Sequence, residues 1–97
     1  MHKIQFIMIT KINNIDDVTI FFQNLYLEGV SAHPDDDFND YVNYETNEAS
    51  YNMEEATLRN RLMNDSFEIC EKVNVDIYDL MMNVFFNKID TESTKSN

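Results

Sequence analysis

The 97-residue chain has 43% apolar residues, including seven Phe and five Tyr, enough for the core of one small domain; a single Gly and a single Pro exclude an all-β fold built on many tight turns. A net charge of −11 argues against nucleic acid or an anionic membrane as a direct partner, since both are polyanions. One cysteine excludes an internal disulfide and fits a reducing, cytoplasmic compartment, and no apolar run is long enough to span a membrane.

The placement of the charge says more than its size. Between Ile12 and Leu58 there are eleven acids (Asp16, Asp17, Glu28, Asp35, Asp36, Asp37, Asp40, Glu45, Glu48, Glu54 and Glu55) and no Lys or Arg. The remainder holds seven acids and seven bases. The whole excess therefore belongs to one contiguous stretch.

Taken in order, Lys3 to Ile12 is rich in β-branched residues and predicts a short strand or extended segment. Its apolar run is too short for a signal peptide, and no small-residue cleavage site follows. Met8 is an alternative start to Met1. Asn14 is placed to cap a helix over Ile15–Glu28, with Asp16 and Asp17 in the first turn, where the helix dipole favours negative charge. Ile15, Val18, Phe21, Phe22, Leu25 and Tyr26 share one face, Ile20 and Leu27 fall opposite, and Gly29 stands where a helix C′ residue belongs.

Val30 to Asn39 reads as a loop, with Pro34 and the acids favouring turns. Tyr41 to Tyr51 is expected to hold a small hairpin, Tyr41–Tyr44 against Ala49–Tyr51, or an irregular turn with its tyrosines under the helices. Asn52 and Glu55 form a capping-box pattern ahead of the longest helical signal, Met53–Val73. Leu58, Leu62, Ile69 and Val73 make its apolar stripe, widened by Ala56, Met63, Phe67 and Cys70. Asn74 ends that helix, and a last one is expected over Asp76–Lys88. Its polar stripe is narrow: Asp76, Asp79, Asn83 and Asn87.

The expected fold is mainly α: a three-helix domain with a short N-terminal strand or extended segment and a hairpin before the central helix. Residues 1–90 would form a single acidic domain and 91–97 a disordered polar tail.

Sites of chemistry are scarce. Asp35, Asp37 and Asn39 match the first positions of an EF-hand loop, but Asp40 replaces the required Gly and Thr46 the bidentate Glu, so the run reads as a solvated acidic loop. Cys70 lies in the apolar arc of the central helix with no His nearby in sequence, as a small buried hydrophobe does. His33, before Pro34 and the acids, reads as a loop histidine that could pair with Asp35 or Asp36. Glu55 and Arg59, four apart on the apolar half with Ser66, read as a structural pair under the Tyr41–Tyr51 segment, the alternative being the lining of a polar groove. Asn64-Asp65-Ser66 is a glycosylation pattern, discounted because it lies mid-helix. No phosphate loop, Cys/His cluster or hydrolase motif is present, so neither catalysis nor a cofactor or metal is expected.

The expected function is a non-catalytic protein-interaction module. Its last helix carries too much apolar surface for two neighbours to cover, and Met82, Phe86 and Ile89 are the residues expected to join two copies into a homodimer. In composition, the small acidic chain with Tyr- and Asp-rich segments is similar to proteins of phages and mobile elements. The alternative function is therefore an acidic inhibitor that imitates nucleic acid, presenting Asp35, Asp36, Asp37, Asp40, Glu45 and Glu48 to a DNA- or RNA-binding protein.

Overall fold

The computed structural model describes the backbone of residues 8–95 and side chains as far as Phe86. The order is α1 (Ile15–Glu28), a 3-10 turn (Phe38–Asp40), β1 (Val42–Asn43), β2 (Glu48–Ala49), α2 (Met53–Lys72) and α3 (Ile77–Lys95). Three helices with a two-stranded antiparallel hairpin before the central one is the expected architecture.

Local chemistry sets the helix ends. The Asn14 side chain accepts from the Asp17 N–H at 2.9 Å, and the Asp17 carboxylate accepts in turn from the Asn13 N–H at 2.8 Å. Gly29 closes α1 at φ +81°, a left-handed conformation that L side chains resist. An added Cβ would meet nothing within 4 Å there, so backbone conformation rather than space calls for glycine. The capping box of α2 is complete: Asn52 Oδ1 accepts from the Glu55 N–H at 2.8 Å, and Glu55 Oε1 accepts from the Asn52 N–H at 2.9 Å. Asn74, at φ +62°, turns the chain from α2 into α3, where Asp76 Oδ1 accepts from the N–H groups of Tyr78 and Asp79.

The core joins Val18, Phe21, Phe22 and Leu25 of α1 with Ala56, Leu62, Met63 and Cys70 of α2 and Ile77, Met81 and Val84 of α3. Tyr26 meets Phe85 edge to face at 5.6 Å, tying α1 to α3. As expected, Ile20 and Leu27 are exposed on the far side of α1.

Four details differ from the sequence reading. The buried line of α2 runs through Ala56, Arg59, Leu62, Met63, Ser66 and Cys70, while Leu58 and Ile69 are half-buried and Val73 is 49% exposed. The buried centre lies roughly 70° round from the apolar stripe at 100° per residue. The reason is that the two polar residues on that line have partners: Ser66 Oγ donates to the Leu62 carbonyl at 2.8 Å, and Arg59 binds Glu28. Second, α3 runs past Lys88 to Lys95 and takes in part of the segment read as a polar tail. The apolar pattern fades there, but no Gly or Pro interrupts the helix.

Third, the hairpin is shorter than expected. Its register is Val42 opposite Ala49 and Asn43 opposite Glu48, and Tyr44 falls in the turn rather than the strand. Asn43 Oδ1 accepts from the Glu45 and Thr46 N–H groups, and Asn47 takes φ +62°, so the asparagines build the turn and use up the residues that would have lengthened the strands. Fourth, no strand forms within residues 8–12; Ile4, Phe6 and the rest of the expected strand lie outside the described residues. The Ile9 N–H donates to the side chain of buried Asn24 at 2.9 Å, the Thr10 carbonyl accepts from Arg61, and Ile12 is buried. Side-chain anchors on α1 and α2 hold this segment in place of strand pairing.

Candidate functional site

The end of α1, the 3-10 turn, the hairpin and the first turns of α2 surround a cleft of about 960 Å³, open on one side. Phe38 anchors the wall. It is fully buried in the middle of the acidic stretch and packs on Phe21, Tyr41 and Tyr51, with ring centroids 6.5, 4.8 and 5.9 Å away. Its N–H donates to Asn60 Oδ1 at 3.0 Å, and Asn60 Nδ2 donates to Asp37 at 2.9 Å, so one α2 side chain pins the turn twice.

At the base of the cleft Arg59 meets Glu28 across thirty-one positions of sequence. Nη2 donates to one carboxylate oxygen at 2.5 Å and Nε to the other at 3.3 Å; Nη1 donates to the Glu55 carbonyl, and the guanidinium lies 4.2 Å over the Tyr51 ring. The Tyr51 hydroxyl donates to the same Glu28 carboxylate at 2.5 Å. Burial works against the charge of Arg59, but the hydrogen bonds and charge of Glu28 outweigh it and hold the guanidinium pKa above its ordinary value. Burial, then the Glu28 hydrogen bond, raises the Tyr51 phenol; burial and the Asp36 hydrogen bond do the same to Tyr41. Arg59 is thus a structural partner under the Tyr41–Tyr51 segment, but of Glu28, since the Glu55 carboxylate is committed to its cap. Both Glu55 and Arg59 also line the cleft.

The acids singled out in the sequence divide. Asp36, Asp37, Asp40 and Glu45 line the cleft together with Glu28 and Glu55, whereas Asp35 and Glu48 do not. The Tyr41 hydroxyl donates to Asp36 at 2.8 Å. Asp37 accepts from the Asn39 N–H, the Asn60 amide and the Asn39 amide, and these hold its pKa below the usual carboxylate range. Asp35 accepts from the Tyr78 hydroxyl of α3 at 2.8 Å, a bond that raises the Tyr78 phenol. His33 Nδ1 stands 3.9 Å from Asp35 and accepts the Asp35 N–H, and its ring lies 5.8 Å from that of Tyr78.

Glu28 was missed as a site residue. One signal was available: an acid on the last turn of a helix, with no base beside it, opposes the helix dipole and calls for a partner elsewhere. Cys70 is buried, as expected of a packed hydrophobe; burial, then the charge of Asp76, pushes its thiol pKa up and away from reactivity. Among the described residues no three His, Cys, Asp or Glu side chains are grouped to hold a metal ion, and no helix is long and apolar enough to cross a membrane.

A second surface lies on α3. Tyr78, Met82 and Phe86, each four residues from the last, are 40%, 56% and 55% exposed, while Ile77, Met81 and Val84 face the core. Ile89 lies beyond the described side chains. No protein family, characterised protein or solved structure matches the chain.

Proposed function

We propose that the chain is a non-catalytic, cytoplasmic protein-interaction module that self-associates through α3. The observation that carries this reading is the exposed ridge of Tyr78, Met82 and Phe86 on a helix whose other face is already buried. Apolar surface of this kind on a helix serves as a contact between chains, and a two-fold dimer is its commonest use. The acidic stretch reaches the ridge at Tyr78, whose hydroxyl donates to Asp35, and Met82 and Phe86 continue one and two turns further along α3.

Sedimentation at micromolar concentration should give a dimer, and Phe86→Asp should convert it to a monomer. A monomer unaffected by Phe86→Asp would sink the reading. So would a monomer that dimerises only when residues 1–7 are deleted, because the N-terminal segment would then be the occupant.

One observation favours the second reading, an acidic imitation of nucleic acid. The carboxylates of Asp35, Asp36 and Asp37 are held by Tyr78, Tyr41 and Asn60, whereas a merely solubilising run needs no such positioning. Replacing Asp35, Asp36, Asp37 and Asp40 with Asn should abolish binding to a basic nucleic-acid-binding protein, and binding by the native chain should fall steeply with salt. Indifference to both would remove this reading.

A further inference from the structure

The loop before the 3-10 turn meets the start of α3 through three titratable side chains, His33, Asp35 and Tyr78. The backbone there is set independently of them. Pro34 is buried between exposed neighbours, and the Asp36 N–H donates to the His33 carbonyl at 3.0 Å, closing a turn with proline at its second position. This turn holds the imidazole beside Asp35 and leaves both side chains more than half exposed, at 58% and 61%.

The His33 ring is an acceptor. Nδ1 accepts from the Asp35 N–H at 3.2 Å, so the ring hydrogen is on Nε2 and the imidazole is neutral. A proton added to Nδ1 turns this acceptor into a donor, and the bond to the backbone N–H must break. A new acceptor is close by. Asp35 Oδ2 lies 3.9 Å from Nδ1, while Oδ1 already accepts from the Tyr78 hydroxyl at 2.8 Å. One carboxylate can then bridge the imidazolium and the tyrosine, with an oxygen for each. The Tyr78 ring centroid stands 5.8 Å from that of His33, within range of a cation–π contact that a neutral imidazole does not make.

The surrounding groups agree on the sign. From the same loop come Asp35 and Asp36, and the Tyr41 hydroxyl that accepts the His33 N–H at 3.3 Å and donates to Asp36. From the start of α3 come Tyr78 and the capping Asp76; from α2 comes Phe67, whose ring stands 6.1 Å from that of Tyr78. None of these is a cation, so none opposes a charged ring.

We propose that His33 is a proton-operated latch: on protonation its ring leaves the Asp35 N–H and closes on the Asp35 carboxylate and the Tyr78 ring, tightening the loop against the start of α3. The latch does not rest on self-association. Tyr78 also begins the exposed ridge of α3, so the latch sets how firmly that ridge is joined to the acidic loop. The closed form belongs to the acid side of the range in which imidazoles titrate, roughly pH 5–8, and is lost as pH rises through it.

The test is an NMR titration of the full chain from about pH 8 to about pH 5, which stays above the ordinary carboxylate range. The residue-35 amide and the Tyr78 ring resonances should move together along one curve. His33→Gln, whose side-chain oxygen can still accept the residue-35 N–H, should abolish both movements. Asp35→Asn keeps an acceptor for the Tyr78 hydroxyl but removes the charge; the amide should still move, and the Tyr78 movement should shrink at least about twofold. Both altered side chains are exposed, and circular dichroism should confirm that the variants remain folded. Equal Tyr78 movement in His33→Gln would place the proton on another group and overturn the proposal. A Tyr78 ring that stays still while the residue-35 amide moves would overturn it too, as would one that moves as far in Asp35→Asn as in the native chain.

Discussion

The two sides of α1 are held by different physics. Toward α3 the contact is apolar: Ile77, Met81 and Val84 share the core with the α1 phenylalanines, and Tyr26 meets Phe85. Toward the hairpin and the start of α2 it is polar and aromatic: Glu28 gathers Arg59 and Tyr51, and Asn60 pins a turn whose one core residue is Phe38. A two-stranded ribbon is marginal alone, and this one is exposed along both strands. Its position comes from directional bonds to a helix end, which select one arrangement, whereas apolar packing rewards any close fit. The acidic cleft is therefore built on the side whose geometry is most specified.

The largest effect should come from removing the one apolar anchor on the polar side. Phe38→Ala should cost about 3–5 kcal/mol by chemical denaturation, since a large buried ring is lost from a small core. An effect below about 1 kcal/mol would mean that the turn is held by Asn60 alone.

Arg59→Met should cost about 3 kcal/mol, because Glu28 is left partly buried without its partner; this is the low end of the range for buried pairs, as the cleft admits water. The double variant Glu28→Gln, Arg59→Met should recover much of that loss. If the double is as unstable as the single, the ion pair is not what joins α1 to α2.

Alkali should distinguish the two sides. The folded-state pKa values of Tyr41 and Tyr51 are raised, so their contribution is fully present below the ordinary value of 10 and is lost as pH rises above it. Amide exchange should show the hairpin and the 3-10 turn losing protection above that pH before α3 does, and Tyr51→Phe should blunt the change. Simultaneous loss on both sides would mean that the chain has a single cooperative unit.

The smallest effect concerns acid. Asp37 has a lowered pKa in the fold, so its contribution is present above the unfolded value of 3.8 and disappears as pH falls below it. Asp37→Asn should flatten the acid limb of the stability curve only slightly, since solvent screens an exposed group. A large flattening would place more of the turn's stability on this cap than its exposure allows.

What was legible in the sequence was local. Asn14, Gly29, Asn52 with Glu55, and Asn74 each act within four residues of themselves, and all five set helix ends as their spacing indicates. The hairpin was legible in kind but not in length, because its asparagines decide where the turn begins. Glu28 with Arg59 and Phe38 with Asn60 were not legible: each pair joins positions more than twenty apart, and nothing in either neighbourhood names the partner. The same gap explains the α2 stripe. A helical wheel counts apolar residues, and a buried arginine enters the core only once its distant carboxylate is known.

The packing of α1 on α3 has a kinetic consequence. These helices stand near opposite ends of the chain, so bringing them together closes a loop that contains the whole hairpin segment and most of the uncompensated acids. Closure carries an entropic cost that grows with loop length, and self-repulsion within the loop adds to it before the packing energy is gained. Added salt, by screening that repulsion, should accelerate refolding more than it slows unfolding. The acidic stretch then acts as a brake on assembly of the fold.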